Sequence, residues 1–213
     1  MAKRKAKATK PPEDYLQNFR LVLESCPWQN ADKLVLGCDP GSKNFGISLV
    51  GIEDGVIRVY ANSVMMYPVN NLVDFNAAYT GFEKELKLWM SAKPQGIVAE
   101  RFQTRGNGGP LIEQVSAMLG IMRGRYHATP MKLTIASTWK NRFNRRFGTD
   151  LKEIYPELDV QPHQFDAALI GVFGIEEGLQ EQVDYDIQDI VAQVEATSLI
   201  RLKSENKSAK ARK

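Results

Sequence analysis

The chain has 213 residues, 43% hydrophobic and 25% charged, with a formal net charge of +3 at pH 7. That length suits one domain with appendages, and no apolar run approaches the roughly 20 residues needed to cross a bilayer. Two cysteines, Cys26 and Cys38, form neither a disulfide framework nor a zinc quartet, and the basic N-terminus carries no apolar stretch of the secretory type, so a reducing, cytoplasmic location is expected.

Residues 1–12, MAKRKAKATKPP, read as a disordered basic arm ending at Pro11-Pro12. A helical extension at 13–32 follows, because Tyr15, Phe19, Val22 and Leu23 recur at helical spacing and Pro27 stops the run. KLVLGC (33–38) is a short apolar run that predicts a buried strand. DPGSKNFG (39–46) reads as a turn. FGISLVGI and GVIRVYANSVMM predict two more strands, with Asp54-Gly55 as the hairpin signal between them. Asn70 or Asn71 could cap a long helix that Pro94 terminates. GIVAE (96–100) predicts a fourth strand. RFQTRGNGG reads as a loop, and Pro110 opens a helix to about Ala128. MKLTIA (131–136) predicts a fifth strand, and Ser137 or Thr138 would cap the basic helix TWKNRFNRRF. YPELDVQP reads as a loop before the helix HQFDAALIGVFGIEE. A last helix is expected over about 183–202, within a C-terminal helical unit at 179–202, and 203–213 as a disordered basic tail. Three antiparallel strands, then strands alternating with helices, predict an α/β fold. Its five-stranded mixed sheet, three strands antiparallel and then parallel ones, is flanked by helices.

Four residues carry candidate chemistry. Asp39 and Glu100 each end an apolar strand, where a carboxylate leaves the sheet edge and can meet a ligand. His163 and Asp166 stand at i and i+3 in the first turn of a predicted helix, on one face. Taken singly, each has an ordinary role: a turn-initiating Asp, an acid paired with the next Arg, a first-turn acid favoured by the helix dipole. Taken together, two strand-end acids and an acid on a late helix are what a two-metal phosphodiester site requires, and Mg²⁺ prefers such oxygen ligands.

GCDPGSKNFGISLV resembles the first-strand motif of RuvC-type Holliday-junction resolvases, which belong to the ribonuclease H-like superfamily. GIVAERF is similar to their second acidic motif, and GNGGPLIEQVSAMLGIMRG to the helix after it. LTIASTWKNRF looks like their fifth-strand segment, and HQFDAALIG matches the H-x-x-D form of their last motif. The likeness spans about 33–178. It implies a ribonuclease H-like fold and hydrolysis of four-way junctions by paired nicks that leave 5′-phosphate and 3′-hydroxyl ends. It also implies two Mg²⁺ ions per site, with Mn²⁺ as a substitute. Asp39 and Asp166 would bridge the metals, Glu100 would ligate the second ion, and His163 would contact metal or substrate. The family acts as homodimers, which points to helix 110–128 as the dimer element. Relatives often carry a junction-probing aromatic residue three positions after the glutamate. Here Phe102 stands two positions after Glu100 and Gln103 takes the third, and Phe102 is kept as a candidate DNA contact.

The charge is segregated. Residues 101–152 hold ten Lys/Arg against Glu113 and Asp150, whereas residues 153–200 hold eleven acids and no Lys or Arg. Arg101, Arg105, Lys132, Lys140, Arg142, Arg145 and Arg146 are therefore candidate phosphate contacts beside the site, while Trp139 reads as core. Branched DNA is the expected partner, and no membrane is. Three other readings compete. An actin-like or sugar-kinase ATPase needs a second copy of the domain, and no such copy is present. A non-catalytic nucleic-acid-binding module would tolerate loss of Asp39. A ribonuclease H-like nuclease cutting flaps, RNA–DNA hybrids or other branched DNA differs from a resolvase only in substrate.

Overall fold

A computed structural model describes residues 15–41, 44–66, 72–101, 110–178 and 183–199. Its centre is β1 (Lys33–Pro40), whose apolar run is buried from Leu34 to Pro40. β2 (Asn44–Glu53) and β3 (Val56–Met66) form a hairpin with it, closed by Asp54 and Gly55, both at positive φ. β4 (Gly96–Glu100) and β5 (Met131–Thr134) lie parallel on the other side of β1. The sheet order is β3-β2-β1-β4-β5, the expected mixed sheet of three antiparallel strands followed by parallel ones.

Helices cover both faces. α1 (Tyr15–Ser25), α2 (Leu72–Met90) and α3 (Pro110–Arg125) lie on one side. There Phe19 stacks on Trp89 at 4.1 Å, and Met118 and Met122 pack with Leu36, Ile47 and Ile97. On the other side lie α4 (Ala136–Phe147), α5 (Leu151–Ile154), α6 (Pro162–Gly178) and α7 (Ile187–Ala196). Their apolar residues join Val35, Val50 and Val98 in a second core. α6 crosses β1 closely. A Cβ on Gly37 would stand 2.1 Å from the Ala167 carbonyl oxygen, so only glycine admits this packing.

Several boundaries differ from expectation. β5 ends at Thr134 rather than at residue 136, and α4 starts two residues before the expected helix. Its N-cap is Ile135, in extended conformation and without a side-chain bond, so Ser137 and Thr138 lie inside the first turn instead of capping it. α3 stops at Arg125 instead of Ala128. The expected loop at YPELDVQP begins with a 3-10 turn, Tyr155–Glu157, that prolongs α5. The C-terminal helix is shorter than predicted. Residues 183–186 are not helical, Asp186 caps the first turn through its bond from the Gln188 amide, and the chain leaves the helix at Thr197. Ser198 then pairs with Asn62 on β3.

Candidate active site

β1 and β4 run parallel, with Cys38 opposite Ala99, so Asp39 and Glu100 leave the sheet at the same edge. The first turn of α6 reaches that edge because Gly46 faces Asp39 across the hairpin. A Cβ there would lie 2.0 Å from the His163 carbonyl oxygen. His163 Nδ1 then meets Asp39 Oδ2 at 2.5 Å. Burial works against the imidazolium, but the bond and charge of Asp39 outweigh it, and the His163 pKa is raised.

Asp166 faces the same space and is buried. Its Oδ2 accepts from Lys140 Nζ at 2.8 Å, and its Oδ1 accepts from the Tyr155 hydroxyl at 2.7 Å. Lys140 also donates to the Tyr155 oxygen at 3.0 Å and lies 4.7 Å above the Trp139 ring. Glu100 Oε2 accepts from the Trp139 indole N–H at 2.8 Å. Trp139 is core, as expected, but it also orients the second acid.

The acids act on one another. The Glu100 pKa is raised first by burial and then by the charge of Asp39, with Trp139 and Lys140 opposing. Asp166 is raised by burial and again by Asp39, against the pull of Lys140 and Tyr155. Burial alone would lower the Lys140 pKa, yet Asp166 holds it above the ordinary lysine value. Burial and neighbouring carboxylates thus raise the pKa of Glu100 and Asp166 at one end of the sheet, against the ammonium of Lys140, and additional positive charge would be stabilised there. Among the described residues, no three of His, Cys, Asp and Glu stand close enough to ligate one ion together. Each acid is instead held by an organic partner. The donor set, hard carboxylate oxygens with an imidazole, fits a divalent cation such as Mg²⁺ in chemistry and charge.

The structure therefore brings all four predicted residues to one end of the sheet. Lys140 belongs there too, as an ion-pair partner of Asp166. Tyr155 was missed, because a tyrosine within an apparent loop carries no periodic signal. The other candidate DNA contacts separate. Arg101 is exposed beside Glu100, and Phe102 and Arg105 lie outside the described residues. Lys132 is not beside the site: it pairs with Glu177, eleven residues along α6 from Asp166, or about 16 Å at the helical rise. Arg142 (3.0 Å) and Arg146 (2.6 Å) clasp the buried Glu176, and Arg146 also donates to the Val183 carbonyl at 2.7 Å. Their charge answers an internal acid. Arg145 is exposed and folds back onto the Asn141 carbonyl.

No family model and no curated protein matches the sequence. Solved structures do share its fold, which is ribonuclease H-like. Thermus thermophilus RuvC in complex with a Holliday junction substrate is similar over 79% of this chain and 99% of its own, with a TM-score of 0.52 and 16% identity. A second Thermus thermophilus RuvC structure gives a TM-score of 0.52 at 17% identity, over 68% of this chain and 96% of that one. The fowlpox virus Holliday junction resolvase is more distant, with a TM-score of 0.43 and 13% identity over 68% and 99%. No helix among the described residues is long and apolar enough to cross a membrane.

Proposed function

We propose that this chain is a metal-dependent, structure-selective DNA endonuclease of the RuvC type. It would resolve four-way junctions by paired nicks that leave 5′-phosphate and 3′-hydroxyl ends. The observation that carries this reading is the gathering of Asp39, Glu100 and Asp166 from β1, β4 and α6 at one sheet edge, where burial and then the charge of Asp39 raise the pKa of both others. Asp39, Glu100 and Asp166 would hold Mg²⁺ or Mn²⁺, with His163 beside them. Bound there, the ions would supply Lewis-acid activation of water and charge neutralisation at the scissile phosphate.

The protein's own groups have separable tasks. His163, whose contact with Asp39 favours the imidazolium against burial, would present its other ring nitrogen to the metal or to a phosphate oxygen. Trp139 and Tyr155 orient Glu100 and Asp166. Lys140 balances the charge of Asp166 and holds its Oδ2. Arg101, exposed next to Glu100, would meet a backbone phosphate. Paired nicks need two sites, so the working form is a homodimer, with α3 as its proposed contact. The test is cleavage of synthetic four-way, flap and RNA–DNA hybrid substrates side by side in Mg²⁺. Symmetric nicking of the four-way substrate alone supports resolution. Preferential cutting of flaps or hybrids replaces it with another ribonuclease H-like specificity.

A further inference from the structure

α7 and the residues after it lie outside the region of resemblance, yet they reach the back of the site. Gln164 is fully buried and sits between His163 and Asp166. At 100° per residue it points away from both. Its Nε2 donates to Asn62 Oδ1 at 2.7 Å and to Ser198 Oγ at 2.7 Å, and its Oε1 accepts the Gln161 amide at 3.2 Å. Asn62 is fully buried on β3, and its Nδ2 donates to the Val194 carbonyl at 2.8 Å and to Thr197 Oγ1 at 2.9 Å. The backbone completes the joint: the Asn62 N–H donates to the Thr197 carbonyl at 3.3 Å, and the Leu199 N–H to the Asn62 carbonyl at 2.9 Å.

A second tie lies further along. β2 and β3 slip register between Leu49 and Val50. Close to that slip, the Val59 N–H donates to Gln193 Oε1 at 2.8 Å, and Gln193 Nε2 donates to the Ile57 carbonyl at 3.3 Å. The amide of Gln193 thus takes the place of a neighbouring strand along the β3 edge. Two buried side-chain amides, on separate elements, fasten the segment Ile187–Leu199 to β3 and to the first turn of α6.

We propose that Ile187–Leu199 is a brace for the active-site helix and that Gln164 is the positioning residue through which it acts. Gly46 lets the first turn of α6 approach the sheet from the front, and the Asn62–Gln164–Ser198 joint holds it from behind. Together they fix the rotation that turns His163 toward Asp39 and Asp166 toward Lys140 and Tyr155. The joint is geometrically exacting, because every donor and acceptor of the two buried amides is matched and a rotated helix would leave several unpaired.

The kinetic part of the test rests on the nuclease reading, and the structural part does not. Two full-length variants are compared with the parent: Gln164→Met, which keeps the shape and removes the amide, and Ser198→Ala, which removes a hydroxyl of the brace itself. Amide hydrogen exchange is followed at Asp166–Ala168 and across β1 and β2, together with kcat and KM on a synthetic four-way junction in Mg²⁺. The brace predicts faster exchange confined to the start of α6 in both variants. It also predicts kcat falling toward the roughly 100-fold that about 1 Å of misplacement costs, with KM little changed. Ser198→Ala moves in the same direction by less. Should Gln164→Met fail to fold, Ser198→Ala decides alone. Exchange equal to the parent's, exchange accelerated uniformly over the sheet, or local exchange with an unchanged kcat each overturns the proposal. If the parent cuts none of the substrates, the nuclease reading fails while the exchange data still judge the brace.

Discussion

Gly46→Ala probes the closest approach in the site. The new methyl group would stand 2.0 Å from the His163 carbonyl oxygen, and ordinary contact begins at 3.4 Å, so the two backbones must separate by about 1.4 Å. The next atoms, the His163 carbonyl carbon at 2.7 Å and its Cβ at 3.2 Å, leave no direction of easy relief. Overpacking of this kind costs about 1–3 kcal/mol, which in a chain of this size lowers Tm by roughly 2–4 °C per kcal/mol. The functional loss should exceed the loss of stability. The same displacement separates His163 from Asp39, and about 1 Å of misplacement costs on the order of 100-fold in rate. Thermal melting together with single-turnover cleavage of a four-way junction measures both. A variant that melts several degrees lower but remains folded at 25 °C, and cuts at least about 100-fold more slowly, agrees with the geometry. Parental cleavage by a folded Gly46→Ala protein would refute the claim that glycine at this position seats the first turn of α6 for the proposed reaction.

Other consequences follow from the electrostatics. The folded pKa of Glu100 is raised, so its ionised form is less comfortable in the fold than in the unfolded chain. It therefore costs stability at neutral pH, and that cost fades as pH falls through the raised pKa toward the ordinary value of about 4.3. In metal-free buffer Glu100→Gln should accordingly raise Tm at pH 7, with the gap closing near pH 4; a lower Tm at pH 7 contradicts the cost assigned to burial and to the charge of Asp39. Trp139→Phe removes the indole donor to Glu100 and should cost about 1.5–3 kcal/mol in urea unfolding at pH 7. Arg146→Ala should destabilise by about 3 kcal/mol, because it strips a partner from buried Glu176. Arg145→Ala, at an exposed position, should change stability by less than about 0.5 kcal/mol. If the two behave alike in urea melts, the clasp on Glu176 is not structural.

The sheet, and the meeting of Asp39, Glu100, His163 and Asp166 at one end of it, were legible because each depends on local signals that the fold leaves intact. The apolar run before Asp39 and the one before Glu100 announced strands, and the strand ends placed both acids at an edge. The i, i+3 spacing of His163 and Asp166 announced one helical face. What the sequence could not show was partnership across the fold. Arg142 and Arg146 stand four residues apart, as phosphate-binding arginines on one helix face would, yet their shared partner Glu176 is thirty residues on from Arg146, and nothing local marks it as buried. Lys132 likewise looked like part of a basic patch until α6 placed Glu177 beside it. At the start of α4, backbone geometry at Ile135 begins the helix and overrides the preference of Ser137 and Thr138 for the capping role. Asn62 and Gln164 gave no sign of their joint, since a buried amide looks like any other until both ends are placed.

The most direct test of the central claim is junction cleavage by Asp39→Asn and Glu100→Gln proteins in Mg²⁺, with junction binding measured in parallel. If three carboxylates at one sheet edge carry the chemistry, both variants bind the four-way junction as the parent does and fail to nick it. Nicking at the parental rate by either variant would contradict the assignment.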